Sequence, residues 1–168
     1  LKSVAVLASG TAVAQAISIA LLPILTRLYT PSEFGLLAIY TALVSILLTF
    51  SCMRLEMALP LQKTSKAAYE VLDLCLVSTF AVGTLTLIIS QVVGAIWPSL
   101  YGEFYMYINF LPLGVFAGGA YIAFQHFTIR QQEFGLVSKS KLFQSISGGL
   151  IQVSGSGFGA TSLLMGYV

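Results

Sequence analysis

Four times over, the chain runs through an apolar stretch long enough to cross a bilayer, at about 4–26, 35–59, 71–97 and 106–129. A spanning helix needs about 20 predominantly apolar residues. Only 8% of the 168 residues are charged, 8 Lys+Arg against 6 Asp+Glu. A soluble domain carries about 25%, so too little charge is available to cover a water-facing surface. An ordinary soluble globule is excluded, and no length remains for a separate soluble domain. The reading is an all-α integral membrane protein, a multispanning helical bundle.

Punctuation between the stretches supports this division. The first span ends at Arg27-Leu28-Tyr29-Thr30, and Pro31 and Ser32 suit a new helix start with Thr30 as its cap. Pro60 closes the second span, and Gln62 to Lys66 form a polar turn. Pro98 bounds the third. A fifth segment, 139–154, is rich in Gln, Ser and Gly and scores poorly as a lipid-facing helix. It can still cross where its polar side is sheltered by other helices or a wet cavity. Gly155, Gly157 and Gly159 mark a turn, and a sixth span opens over 159–168. The chain reads as a piece of a longer protein, beginning at Leu1 and stopping inside an apolar run. The first span is longer than a signal-peptide core and reads as retained.

With alternate crossings, Lys2, Arg54, Lys63, Lys66, Arg130, Lys139 and Lys141 fall on one side and Arg27 alone on the other. The positive-inside rule places the seven, and the amino terminus, in the cytoplasm. The connections 27–34, 98–105 and 154–158 then face outward, with Trp97, Tyr101, Tyr105 and Tyr107 in the outer aromatic belt.

Helix faces identify the candidate residues. Ala8, Ala12, Ala16 and Ala20 form one small-residue ridge, with Gly10, Ala14 and Ser18 beside it, which allows close helix approach. Thr11, Gln15 and Ser18 either join that packing or line a cavity. On the second span Thr41, Ser45, Thr49, Cys52 and Glu56 follow a single helical face. Arg54 and Glu56 near the interface either anchor the helix or enter a polar cavity. Glu70 and Asp73 open the third span and either neutralise Lys63 and Lys66 or serve transport. Pro112 followed by Gly114 and Gly118 predicts a kinked, closely packed fourth helix. His126 reads as an interfacial residue and Cys52 and Cys75 as inert packing residues. Gln144, Gly148 and Gln152 share a face of the fifth helix. No nucleophile triad, HExxH or phosphate loop is present, and no basic patch suggests nucleic acid. An enzyme is the weaker class, and no cofactor or metal is expected.

The stretch Leu22-Pro23-Ile24-Leu25-Thr26-Arg27-Leu28-Tyr29-Thr30-Pro31-Ser32-Glu33-Phe34-Gly35 resembles the first outward turn of the Wzx-like polysaccharide flippases of the multidrug/oligosaccharidyl-lipid/polysaccharide (MOP) superfamily. Arg54-Leu55-Glu56-Met57-Ala58-Leu59-Pro60 is similar to that family's second-helix end, and the basic region 130–141 before a Gly-rich fifth helix also fits. The resemblance implies the N-terminal six-helix lobe of a carrier in the bacterial inner membrane. Such a carrier turns a polyprenyl-diphosphate-linked oligosaccharide to the outer leaflet by alternating access. It further implies O-antigen, capsule or exopolysaccharide synthesis, with lipid-linked oligosaccharide, membrane lipids and other polysaccharide-assembly membrane proteins as partners. On that basis Arg54, with Arg130 and Lys139, attracts the headgroup, and Gln15, Thr49 and Gln152 bathe the glycan. Glu56 or Asp73 couples an ion, while Arg27, Pro31, Gly35, Pro112, Gly114 and Gly118 shape turns and hinges. The alternatives are an ion-coupled drug or metabolite exporter of the same superfamily, a membrane-embedded glycan polymerase or ligase, and a multispan scaffold with no polar cavity.

Overall fold

The computed structural model describes the backbone of residues 2–96, 98–155, 157 and 159–167, and the side chains of 7–96, 107–155, 157, 159 and 161–167. The chain is all-α. Its helices are α1 (Lys2–Leu28), α2 (Pro31–Ser51), a 3₁₀ segment (Leu55–Leu61), α3 (Ser65–Ile96), α4 (Pro98–Arg130), α5 (Phe134–Ser154) and α6 (Ala160–Tyr167), with no strand among the described residues. By length and composition α1, α2, α3 and α4 can each cross a membrane. The 21 residues of α5 are long enough but too polar to join them. The large apolar residues left exposed, such as Ile19, Ile46, Phe80 and Ile88, are what lipid-facing helix surfaces require.

Local chemistry sets the boundaries. Thr30 and Glu33 form a reciprocal capping box around Pro31. The Glu33 carboxylate accepts the Thr30 N–H at 2.7 Å, and the Thr30 hydroxyl accepts the Glu33 N–H at 3.4 Å. Thr64 caps α3, its hydroxyl accepting the Ala67 N–H at 3.3 Å, so α3 starts six residues before the expected 71. The predicted outer loop 98–105 is instead the opening of α4, because proline at the first helical position needs no N–H partner. Helix α5 likewise starts at Phe134 rather than 139. Lys2, Trp97, Tyr101 and Tyr105, named above for orientation or the aromatic belt, have side chains outside the described residues.

The largest departure is in the second span. Helix α2 stops at Ser51, and Met53 and Arg54 take left-handed backbone conformations, with φ of 49° and 60°. The chain continues as a 3₁₀ turn, with the Leu55 N–H on the Cys52 carbonyl at 2.8 Å and the Met57 N–H on the Arg54 carbonyl at 3.2 Å. The predicted five-residue stripe therefore ends at Thr49. Cys52 points into a core, 1% exposed, while Ser45 and Thr49 stay on the surface.

Two compact units divide the chain, residues 1–38 with 128–168, and residues 39–127. In the first, Leu25, Tyr29 and Leu163 form a core bordered by Leu21, Phe34, Leu37 and Val153. In the second, Cys52, Leu59, Leu72, Cys75 and Ala123 form another, bordered by Leu55, Val71, Leu76 and Phe127. The GxxxG spacing there does what its small residues predict. A methyl group on Gly114 would lie 2.5 Å from the Tyr40 hydroxyl, and one on Gly118 would lie 3.0 Å from Leu48. One face of α2, at 40, 44 and 48, thus beds against the glycine side of α4.

Candidate functional site

In the first unit Ser138, Ser145 and Gln152 of α5 turn toward α1 and α6, while Ser140, Gln144 and Ser154 are exposed. Ser145 donates to the Ala14 carbonyl at 2.9 Å, Ser18 donates to the same carbonyl at 3.2 Å, and the two hydroxyls stand 3.1 Å apart. Gly10 meets Ser138, and Gly149 meets Leu21. Gly148 lies so close to the Gly166 carbonyl that no side chain fits between α5 and α6. Hydroxyls and glycines join these helices alongside the Leu25, Tyr29 and Leu163 core, as expected where hydrophobic association supplies little between helices in lipid.

This arrangement decides what each predicted residue of the unit can do. Gln152 is held at both ends of its peptide and amide. Its side-chain amide donates to the Leu163 carbonyl at 3.3 Å, and its backbone carbonyl accepts the Tyr29 hydroxyl. Tyr29, 4% exposed, also bonds Ser162 at 2.8 Å. Gln152 therefore ties α5 to α6. Gln15 is exposed and, among the described residues, has no side-chain hydrogen bond; Lys139 is exposed on α5. Arg130 is half-buried at the end of α4. Arg27 is exposed in the last turn of α1, and Pro31 and Gly35 are exposed at the start of α2.

The second unit holds the rest. Thr49 is exposed and donates to the Ser45 carbonyl at 2.9 Å. Arg54 is exposed in its left-handed turn. Glu56 is half-buried, and its Oε2 is buried without a hydrogen-bond partner. Asp73 is exposed on α3, and Pro112 is buried in α4. The 3₁₀ segment carrying Arg54's neighbours and Glu56 packs on the part of α3 that bears Asp73. No group of three or more metal-binding side chains occurs among the described residues.

Sequence reasoning passed over Tyr29, Glu33 and Ser162. Glu33 was findable, since Thr30-Pro31-Ser32-Glu33 has the capping-box spacing. Tyr29 and Ser162 lie 133 positions apart and carry no local signal.

Four bilayer-length apolar helices, with a fifth that shelters Ser138, Gly148 and Gly149 against its neighbours, define a multispanning helical membrane protein. A family model described as polysaccharide biosynthesis protein matches residues 24–168. The chain belongs to that family and has a role in polysaccharide biosynthesis, in keeping with the resemblance to Wzx-like flippases carried by residues 22–35. Comparison with curated proteins and with solved structures gives no match.

Proposed function

We propose that the chain forms part of a carrier, not an enzyme, which passes a polyprenyl-diphosphate-linked oligosaccharide from the cytoplasmic to the outer leaflet of the bacterial inner membrane by alternating access. The amino terminus lies in the cytoplasm. The observation that carries this reading is Gln15, an exposed amide in the middle of an apolar helix, beside the Ser18 and Ser145 hydroxyl pair. An amide left unbonded in hydrocarbon costs several kcal/mol, on the order of 2–7, so this surface calls for water or sugar hydroxyls rather than acyl chains. Arg54, Arg130 and Lys139 supply positive charge for the diphosphate.

The test uses the full-length protein in proteoliposomes with a fluorescent lipid-linked oligosaccharide. Gln15→Leu keeps the helix and removes the amide. Flipping falls at equal protein abundance if Gln15 wets the glycan, and unchanged flipping rejects the assignment. One observation favours a second reading, an ion-coupled exporter of the same superfamily: the unpartnered buried oxygen of Glu56 is a place for a proton or small cation. A scaffold without a passage is separated from either by aqueous labelling of positions 15 and 49.

A further inference from the structure

The outward side of the 3₁₀ segment and its flanks has the wrong chemistry for water. Its inward residues Leu55 and Leu59 join the core of the second unit. Facing away are Met53, Met57 and Leu61, which are 71%, 54% and 79% exposed. Arg54, Lys63 and Lys66 flank them and are also exposed. Over residues 53–66 these three cations face a single acid, Glu56.

The depth of this segment follows from its neighbours. The 21 residues of α2 already span about 31 Å at 1.5 Å per residue, the whole hydrocarbon thickness of about 30 Å. Helix α3 has 32 residues, about 48 Å. Its uncharged portion begins at Leu74, after Lys66, Glu70 and Asp73. The 3₁₀ segment packs against Val71, Leu72, Cys75 and Leu76, which is where α3 passes from charged to uncharged sequence. That level is the boundary between headgroups and acyl chains.

We propose that Met53–Leu61 is an interfacial element that docks on anionic phospholipid. Met57 and Leu61 enter the acyl boundary, and Lys63 and Lys66 bind the lipid phosphates. An element with an apolar outward side beside basic residues fits such a surface by charge and depth together. The seat also holds Arg54 at headgroup level. The inference rests on the membrane class of the protein and does not need the carrier reading.

Leu61→Cys in the full-length protein, labelled with bimane and reconstituted in phosphatidylcholine vesicles containing phosphatidylglycerol, tests the seat. Cys52 and Cys75 are buried, and labelling of the unsubstituted full-length protein sets the background, so the difference reports position 61. Bromines near the ester end of the acyl chains quench it more than bromines near the methyl end, and aqueous iodide quenches it weakly. Free quenching by iodide overturns the proposal, and so does a label that neither quencher reaches, which means protein covers the site. In a second arm, the Lys63→Gln, Lys66→Gln protein retains less phosphatidylglycerol by native mass spectrometry, about fivefold less for each lysine removed. Equal retention overturns the lipid assignment. Loss of flipping leaves both readouts untouched, so the two proposals fail separately.

Discussion

Replacing Gly114 by Ala is expected to destabilise the second unit through one hydroxyl. Tyr40, 2% exposed, donates to the Phe110 carbonyl at 3.1 Å. Phe110 stands one turn before Gly114, and the missing side chain at 114 is the gap through which the hydroxyl reaches that carbonyl. A methyl group there would lie 2.5 Å from the hydroxyl and 3.2 Å from Val44. Restoring a 3.4 Å separation displaces the hydroxyl by about 0.9 Å, and with Val44 behind it the ring has little room. The lost bond costs about 0.6–1.5 kcal/mol, and crowding the packed ring and Val44 adds about 1–3 kcal/mol. Alanine returns about 1 kcal/mol of helix propensity over glycine, leaving a net loss of about 0.6–3.5 kcal/mol. Tyr40→Phe removes the hydroxyl that the new methyl would meet, so in that background Gly114→Ala is expected to be neutral or mildly stabilising. A thermodynamic cycle on the full-length protein, unfolded from detergent micelles and followed by circular dichroism, measures the coupling. An equal loss in both backgrounds would refute the assignment of Gly114 to the Tyr40 gap.

Other outcomes follow from single contacts. Tyr29→Phe removes the bonds to the Gln152 carbonyl and Ser162 and is expected to lower the thermal midpoint by the equivalent of about 1 kcal/mol; an unchanged midpoint contradicts the tie between α1, α5 and α6. Ser145→Ala costs about 0.6 kcal/mol by the same assay, and adding Ser18→Ala costs less than a second such increment, because both hydroxyls share one carbonyl; strict additivity argues against the shared arrangement. Arg54→Gly relieves a left-handed backbone and is expected to stabilise by about 0.5–1 kcal/mol, while flipping falls. A variant that is more stable and equally active removes Arg54 from the transport machinery.

The sequence made some of this legible for physical reasons. The apolar stretches report the solvent around each helix, so α1 to α4 were readable from composition. The glycine spacing at 114 and 118 reports close approach and was readable without a partner, although nothing local said that α2 would supply Tyr40, Val44 and Leu48. Hydropathy failed at the end of α2, where Leu55, Met57, Ala58 and Leu59 continue an apolar pattern. The helix is stopped there by two non-glycine residues in left-handed conformations, a choice made by burial of Cys52 and Leu59 rather than by local propensity. The loop predicted at 98–105 failed for a different reason: Pro98 bounds an apolar stretch, but proline equally suits a helix start.

Hydrogen-bond capacity ranks the polar candidates more sharply than position does. The side chain of Gln152 has a partner at 3.3 Å, and its backbone carbonyl is taken as well, so recruiting it to a passing sugar would loosen α6. Thr49 has given its proton to the Ser45 carbonyl and retains only acceptor lone pairs. Gln15 keeps two donors and an acceptor unspent among the described residues. A glycan slides past many hydroxyls that both donate and accept, and a wall that serves it must do both. On that criterion the proposed glycan contact falls to Gln15 first and to Thr49 as an acceptor only, and Gln152 belongs to the joint between helices. Aqueous maleimide labelling of Gln15→Cys and Gln152→Cys separates the two roles: fast reaction at 15 with slow reaction at 152 agrees with this ranking, and the reverse order removes its basis.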